Sequence, residues 1–72
     1  MPNYIIIESR YDGFTTYGIA LVACEDGQPI VLQSIPDLSP DRDRVEQFVR
    51  LCADLHLSPL HLDDAVADFL AE

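Results

Sequence analysis

The sequence predicts a small α+β protein in which a three-stranded antiparallel β-meander precedes two amphipathic helices packed on one sheet face (β-β-β-α-α). Two Asp-Gly pairs separate three runs that are rich in β-branched and aromatic residues, as expected for strands joined by tight turns. Two Ser-Pro pairs then each precede apolar residues at helical spacing. At 72 residues, 49% of them hydrophobic, the chain has room for one core, so residues 1–72 are expected to form one domain.

The three predicted strands follow one another without a crossover. The first covers residues 4–11 and reverses at Asp12-Gly13, and the second covers residues 15–24 and reverses at Asp26-Gly27. The third covers residues 30–35. A proline flanks it on each side, and proline cannot donate to a strand ladder, so this strand is predicted to be short and to lie at an edge.

Both faces of the predicted sheet are apolar. Alternation places one set together: Ile5, Ile7, Tyr11, Phe14, Ala20, Val22, Val31 and Ile35. The opposite set comprises Tyr4, Ile6, Tyr17, Ile19, Leu21, Ile30 and Leu32. The helices are expected to cover the face with Gly18 and Ala20, where small side chains leave space. The other face, with Tyr17, Ile19 and Leu21, would then bind a second copy or another protein, because large exposed apolar patches are rare on monomers.

The two predicted helices have the same kind of start. Ser39 is the expected N-cap of the first, with Pro40 at its first position, and this helix should end near Leu55 or His56. The second begins at Ser58-Pro59 and continues to the end of the chain. Apolar residues at helical spacing give each helix one face for packing: Val45, Phe48, Val49, Cys52 and Leu55 in the first, and Leu62, Ala65, Val66, Phe69 and Leu70 in the second.

The charge of the chain excludes several classes of function. It has 13 acidic residues, four arginines and no lysine, for a net charge of -9 and a pI near 4.2. Such a chain repels nucleic acid and anionic membranes, and its apolar runs are too short to span a bilayer. The N-terminus lacks the basic region of a secretory signal, so a cytoplasmic location is expected. Cys24 and Cys52 are both predicted to be reduced core residues.

A metal site is one alternative function. His56, His61 and Asp64 are candidate ligands, because His61 and Asp64 lie three residues apart on one helix face and His56 could approach from the preceding helix end. In the other interpretation, His61 caps or packs at the start of the second helix, and His56 lies at the C-terminal end of the first, where a cation is favoured. Asp64 is then exposed to solvent.

An acidic stripe is the basis of another alternative. Asp64, Asp68 and Glu72 recur every four residues along the second predicted helix. This stripe is either a contact surface for a basic partner, which could make the chain a mimic of nucleic acid, or a solubilising face.

No cofactor or catalytic residue is predicted. Cys52 lies on an apolar helix stripe, Ser39 and Ser58 are explained as caps, and no Gly-rich phosphate loop or nucleophile elbow occurs. A core of this size also has little volume for an enclosed ligand pocket of the usual ~300 Å³ or more. The chain is therefore predicted not to be an enzyme.

The sequence resembles a family of short bacterial proteins of unknown function, found mostly as stand-alone chains. The resemblance is carried by Thr16-Tyr17-Gly18-Ile19, by Ser39, Asp41-Arg42 and Val45, and above all by Leu57-Ser58-Pro59-Leu60-His61-Leu62-Asp63-Asp64-Ala65-Val66-Ala67-Asp68-Phe69-Leu70. It departs from the family pattern at Pro40 and Asp43, where Thr and Glu would form a capping box. The resemblance implies no activity. We therefore expect a non-enzymatic protein-interaction or regulatory module that binds a protein partner or forms a homodimer.

Overall fold

The computed structural model describes residues 3–71. One antiparallel sheet has the strand order β1-β2-β3, with β1 Asn3–Tyr11, β2 Phe14–Glu25 and β3 Gln28–Ser39. Helix α1 (Arg42–Asp54), a 3₁₀ turn (Pro59–His61) and helix α2 (Leu62–Ala71) follow. The predicted β-β-β-α-α fold is confirmed.

Strand β3 lies at an edge as predicted, but it is twice as long as predicted, spanning 12 residues. Ile35 pairs with Ile19 and Ser39 pairs with Tyr17, so residues 36–38 lie opposite Gly18 alone. Pro36 falls inside this bulge, where the ladder requires no N–H group. The proline therefore interrupts the pairing and does not end the strand.

The backbone of the bulge lies directly against Gly18 of the central strand. A Cβ atom on Gly18 would lie 2.7 Å from the Cα atom of Pro36 and would collide with the carbonyl oxygen of Ile35. Beside it, the hydroxyl of Thr16 donates a 2.6 Å hydrogen bond to the carboxylate of Asp37. Glycine at position 18 is thus required by the backbone of β3.

The helices cover the face that carries Tyr4, Ile19 and Leu21, which is a correction to the sequence-based expectation. The small residues Gly18 and Ala20 are buried on the opposite side, where the β3 bulge occupies the space expected for a helix. The core consists of buried residues from both layers: Tyr4, Ile19, Leu21, Leu38, Val45, Phe48, Val49, Cys52, Leu62, Val66 and Phe69.

Helix α1 begins two residues later than predicted. Asp41 is its N-cap, and the carboxylate accepts hydrogen bonds from the backbone N–H groups of Asp43 and Arg44, at 3.1 and 3.3 Å. Ser39 is still paired in β3, and its hydroxyl accepts a 3.1 Å bond from the N–H of Asp41. Ser39 therefore stabilises the turn before the cap.

The end of α1 is where the sequence predicted it. Leu55 is the C-cap, and His56 adopts a left-handed conformation with φ +50°. The N–H of His56 donates to Ala53 O at 3.1 Å, and the N–H of Leu57 donates to Cys52 O at 3.0 Å. This is the Schellman pattern, in which glycine usually occupies the position of His56.

The predicted cap of the C-terminal helical segment is confirmed. The hydroxyl of Ser58 accepts a 3.3 Å hydrogen bond from the N–H of Leu60, although the first turn is 3₁₀ and α2 proper begins at Leu62. The ring of Phe69 packs 4.8 Å from that of Phe48, centroid to centroid. This aromatic pair joins α2 to α1. Within residues 3–71 no helix is long and apolar enough to span a membrane.

Candidate functional site

The face of the sheet that the helices leave uncovered exposes large apolar side chains. We call it the open face and define it by Ile5, Ile7, Tyr11, Phe14, Val22 and Val31. The exposed fraction reaches 61% for Val31, 58% for Phe14 and 42% for Ile5. Side chains of this kind are normally withdrawn from water, so the open face is the first candidate for a contact surface.

The strand register sets the arrangement of the open face. Val22 on the central strand pairs with Val31 on one side and Asn3 on the other, so the two valines are cross-strand neighbours. At the far end the tight turn brings Tyr11 opposite Phe14, and their rings stack with centroids 5.3 Å apart. Apolar groups therefore occupy both ends of this face, and the β3 bulge lies between them.

The open face carries no charged side chain along β1 and β2 within the described part of the chain. Glu8, Arg10 and Glu25 alternate onto the other side of the sheet, and Glu8 and Arg10 form an exposed ion pair with an N to O distance of 3.2 Å. Asp37, in the β3 bulge, accepts its hydrogen bond from Thr16. Because Thr16 alternates with Phe14 and Val22 onto the open face, the exposed carboxylate of Asp37 lies on this side of the sheet.

The three apolar residues predicted to bind a partner do not lie on this surface. Ile19 and Leu21 are buried beneath the helices, 0% and 2% exposed, and Tyr17 is half-buried against the same core. Alternation alone does not show which apolar face the helices cover, so the prediction of this contact surface was wrong. The surface that remains open carries the alternate residues of the same strands, except Ile35, which packs against the core.

The acidic candidates remain accessible. Asp64 and Asp68 are exposed one turn apart on α2, while Glu72 lies outside the described residues. Within residues 3–71, the side chains of Asp64 and Asp68 make no hydrogen bond or ion pair that would tie them into the fold.

The predicted metal ligands are not brought together. Among residues 3–71 no group of three or more His, Cys, Asp or Glu side chains is placed to hold a metal ion. His56 belongs to the Schellman turn that ends α1, and His61 lies in the 3₁₀ turn. The arrangement therefore does not support a metal site at His56, His61 and Asp64.

An open cleft of about 490 Å³ lies where α1 ends. It is lined by Asn3, Tyr4, Leu21, Ala53, His56, Leu57, Ser58 and Pro59. The phenol of Tyr4 is committed to a 2.7 Å hydrogen bond with the carbonyl of Leu57, and burial, with a smaller effect of Cys52, raises the pKa of that phenol. Only the course of the chain after α1 creates this cleft, so no sequence pattern could indicate it.

The two cysteines have different environments. Cys52 is buried as predicted, and burial raises the pKa of its thiol, which disfavours the reactive thiolate. Cys24 is exposed near the end of β2, so its assignment to the core was wrong. Cys24 alternates with Val22 onto the face that the helices leave uncovered.

Fold and surface together define a small, strongly acidic α+β protein with one largely apolar sheet face left open. Residues 2–72 match the model of a protein family described as "Family of unknown function (DUF6514)", and the chain belongs to that family. No curated protein and no solved structure matches the chain. Membership of the family brings no activity with it.

Proposed function

We propose that this chain is a non-enzymatic protein-interaction module, with a regulatory or adaptor role, that binds a protein through the open face. The exposure of Ile5, Phe14 and Val31, on a face to which β1 and β2 contribute no charged side chain, is the observation that carries this proposal. Exposing an apolar face to water costs free energy, even on a chain whose net charge is -9. A partner bound to that face would remove this cost.

The chemistry near the cleft favours a binding role over catalysis. Cys52, the buried nucleophile candidate, has a raised thiol pKa, and the Tyr4 phenol already donates to a backbone carbonyl. Neither group is arranged as a nucleophile activated by an adjacent base. Free Cys24 and Cys52 are also what a reducing compartment such as the cytoplasm maintains.

The acidic surface of α2 supports a different kind of partner. Exposed Asp64 and Asp68 would attract a basic protein, as a mimic of nucleic acid does. Such a complex weakens steeply as salt rises, because exposed charges are screened. A complex made through the apolar side chains of the open face should not weaken steeply as salt rises.

Affinity capture from the native cytoplasm tests the proposal with one pair of matched variants. Val31→Asp places a charge on the open face, and Leu60→Asp makes the same kind of change at a side chain that is 88% exposed on the 3₁₀ turn. We expect a specific protein to be retained by the wild type and by Leu60→Asp at low and high salt. Val31→Asp should lose it.

The opposite pattern contradicts the proposal. Retention that is unchanged in Val31→Asp but lost at high salt would assign the contact to the acidic surface. Circular dichroism of both variants shows whether each is folded, so that a lost contact is not confused with a lost fold.

A further inference from the structure

The outer edge of β1 carries main-chain groups that have no partner in the described part of the chain. A tight turn joins Tyr11 directly to its strand partner Phe14, so these two residues form a hydrogen-bonded pair. Alternation along β1 then directs the N–H and C=O groups of Ile6 and Glu8 away from β2. Because β1 is an edge strand, no other backbone group within residues 3–71 pairs with them.

This edge is accessible along its length. At its start, the N–H of Tyr4 donates to the side-chain oxygen of Asn3 at 3.0 Å, as expected for an N–H that also points away from β2. On the helix side of β1, Ile6 is only partly buried, and Glu8 and Arg10 are exposed. The open cleft lies beside Tyr4. A strand from outside can therefore approach this edge.

We propose that a second copy of this chain adds to the edge, β1 against β1 in antiparallel orientation, with a two-fold axis at Ile6. This inference goes beyond the proposed function, because it uses the edge of the sheet and leaves the open face free. A two-fold contact uses the same segment of both copies, so the strand must fit its own reverse. Ile5-Ile6-Ile7 meets this requirement, since Ile6 faces Ile6, and Ile5 faces Ile7 of the second copy.

Charge favours this register over its neighbours. With the axis at Ile6, Glu8 lies opposite Tyr4 of the second copy, beside the cleft that Tyr4 and His56 line. The cleft gives the Glu8 side chain space, and His56 is the basic residue among those that line it. An axis at Glu8 would instead place two carboxylates directly opposite each other, which is destabilising.

The pairing predicts an unusual dependence on salt. It forms about six main-chain hydrogen bonds, two in each hydrogen-bonded pair, and it buries isoleucine side chains. Two chains of net charge -9 repel each other, and salt screens that repulsion. The dimer should therefore become stronger as salt rises. Because one strand edge is a small contact, association is expected at about 10–100 μM.

Hydrogen exchange of the wild-type full chain, followed by NMR from about 5 to 500 μM, tests this inference. The amides of Ile6 and Glu8 should exchange at least about threefold more slowly in the concentrated sample, because they then donate to the second copy. The amides of Ile5 and Ile7 donate to β2 and should be protected at every concentration. Exchange of Ile6 and Glu8 that does not depend on concentration overturns the inference.

Sedimentation velocity of the same samples measures the association itself. We expect more dimer at about 0.5 M salt than at about 0.05 M. A chain that stays monomeric throughout this range, or a dimer that dissociates as salt rises, overturns the inference.

Cysteine cross-linking locates the axis, in a Cys24→Ser background because Cys24 is exposed. Ile6→Cys places two thiols opposite each other, within the Cα separation of about 4.4–6.8 Å that a disulfide requires. Glu8→Cys is the matched control on the same edge and face, because the two copies of that position lie about 14 Å apart along the strands.

Mild oxidation should link Ile6→Cys at least about tenfold faster than Glu8→Cys. Faster linking at position 8, or equally slow linking of both variants, contradicts an axis at Ile6. Circular dichroism shows whether each variant is folded.

One variant separates the dimer from the partner contact on the open face. Val31→Asp changes β3, which is not adjacent to β1, so it should change the dissociation constant of the dimer less than about twofold while abolishing capture of a partner. A monomeric chain that still captures a partner through Val31 overturns only the inference on β1. A dimer that captures nothing overturns only the proposed function.

Discussion

The phenol of Tyr4 on β1 donates a 2.7 Å hydrogen bond to the backbone carbonyl of Leu57, 53 residues later in the chain. The bond ties the first strand to the turn that follows α1. It also holds one wall of the cleft against the other.

Replacing Tyr4 with Phe should lower the free energy of unfolding by about 1 kcal/mol, because the carbonyl of Leu57 loses its partner while the ring remains packed. Tyr11→Phe is the matched control, since Tyr11 is 47% exposed on the open face. Urea denaturation measures both. An equal effect of the two changes would show that the Tyr4 bond contributes nothing particular to stability.

Alkaline pH should destabilise the fold. Burial raises the pKa values of Tyr4 and Cys52 above their ordinary values of 10.0 and 9.0. The folded state therefore holds these protons more tightly than the unfolded state, so their contribution to stability is present below about pH 9 and is lost as pH rises through the folded pKa values. Tyr4→Phe combined with Cys52→Ala should reduce the slope of unfolding free energy against pH above 9. An unchanged slope in that double variant would contradict the prediction.

Gly18→Ala should cost about 2–3 kcal/mol, because the added methyl group collides with the backbone of Ile35 and Pro36, which cannot move without breaking the β3 bulge. Gly13→Ala is the informative comparison. Its φ of +86° is strained for alanine, but a Cβ there meets nothing within 4 Å, so a loss of only about 1 kcal/mol is expected. Thermal unfolding ranks the two, and a milder effect at Gly18 than at Gly13 would refute the close approach of β3.

His56→Gly should stabilise the protein by about 0.5–1 kcal/mol, because glycine adopts the left-handed conformation without the penalty that a side chain carries. His61→Gly should instead destabilise it by about 0.5 kcal/mol, since His61 has no positive φ and glycine disfavours a helical turn. Chemical denaturation of the two variants checks the opposite signs. Two losses would mean that the side chain of His56 makes a contact that outweighs its backbone strain.

The order of elements could be predicted because local chemistry specifies it. The Asp12-Gly13 turn fixes the register of β1 against β2, whereas the register of β3 against β2 shifts twice. The Ser58 cap, the apolar helix stripes and the end of α1 are each encoded within a few residues. These signals also predicted correctly that one apolar sheet face would remain open.

Which face stays open could not be read from alternation, because the two faces are about equally apolar. The decision depends on the bulge at residues 36–38, whose backbone fills the space above Gly18. Pro36 is the residue that signals this bulge, but a proline at such a position also predicts the end of a strand. The start of α1 differs from the prediction for a related reason. The longer β3 keeps Ser39 in the strand ladder, so Asp41 is the N-cap of α1.

The two edges of the sheet differ in their capacity to accept another strand. β1 contains no proline and pairs on one side only, whereas β3 carries Pro29, Pro36 and two interruptions of its register. Strand addition at β1 can therefore join two molecules, but the product presents only β3 edges. Growth ends at that point, so the chain is protected from open-ended fibre formation despite its apolar strands.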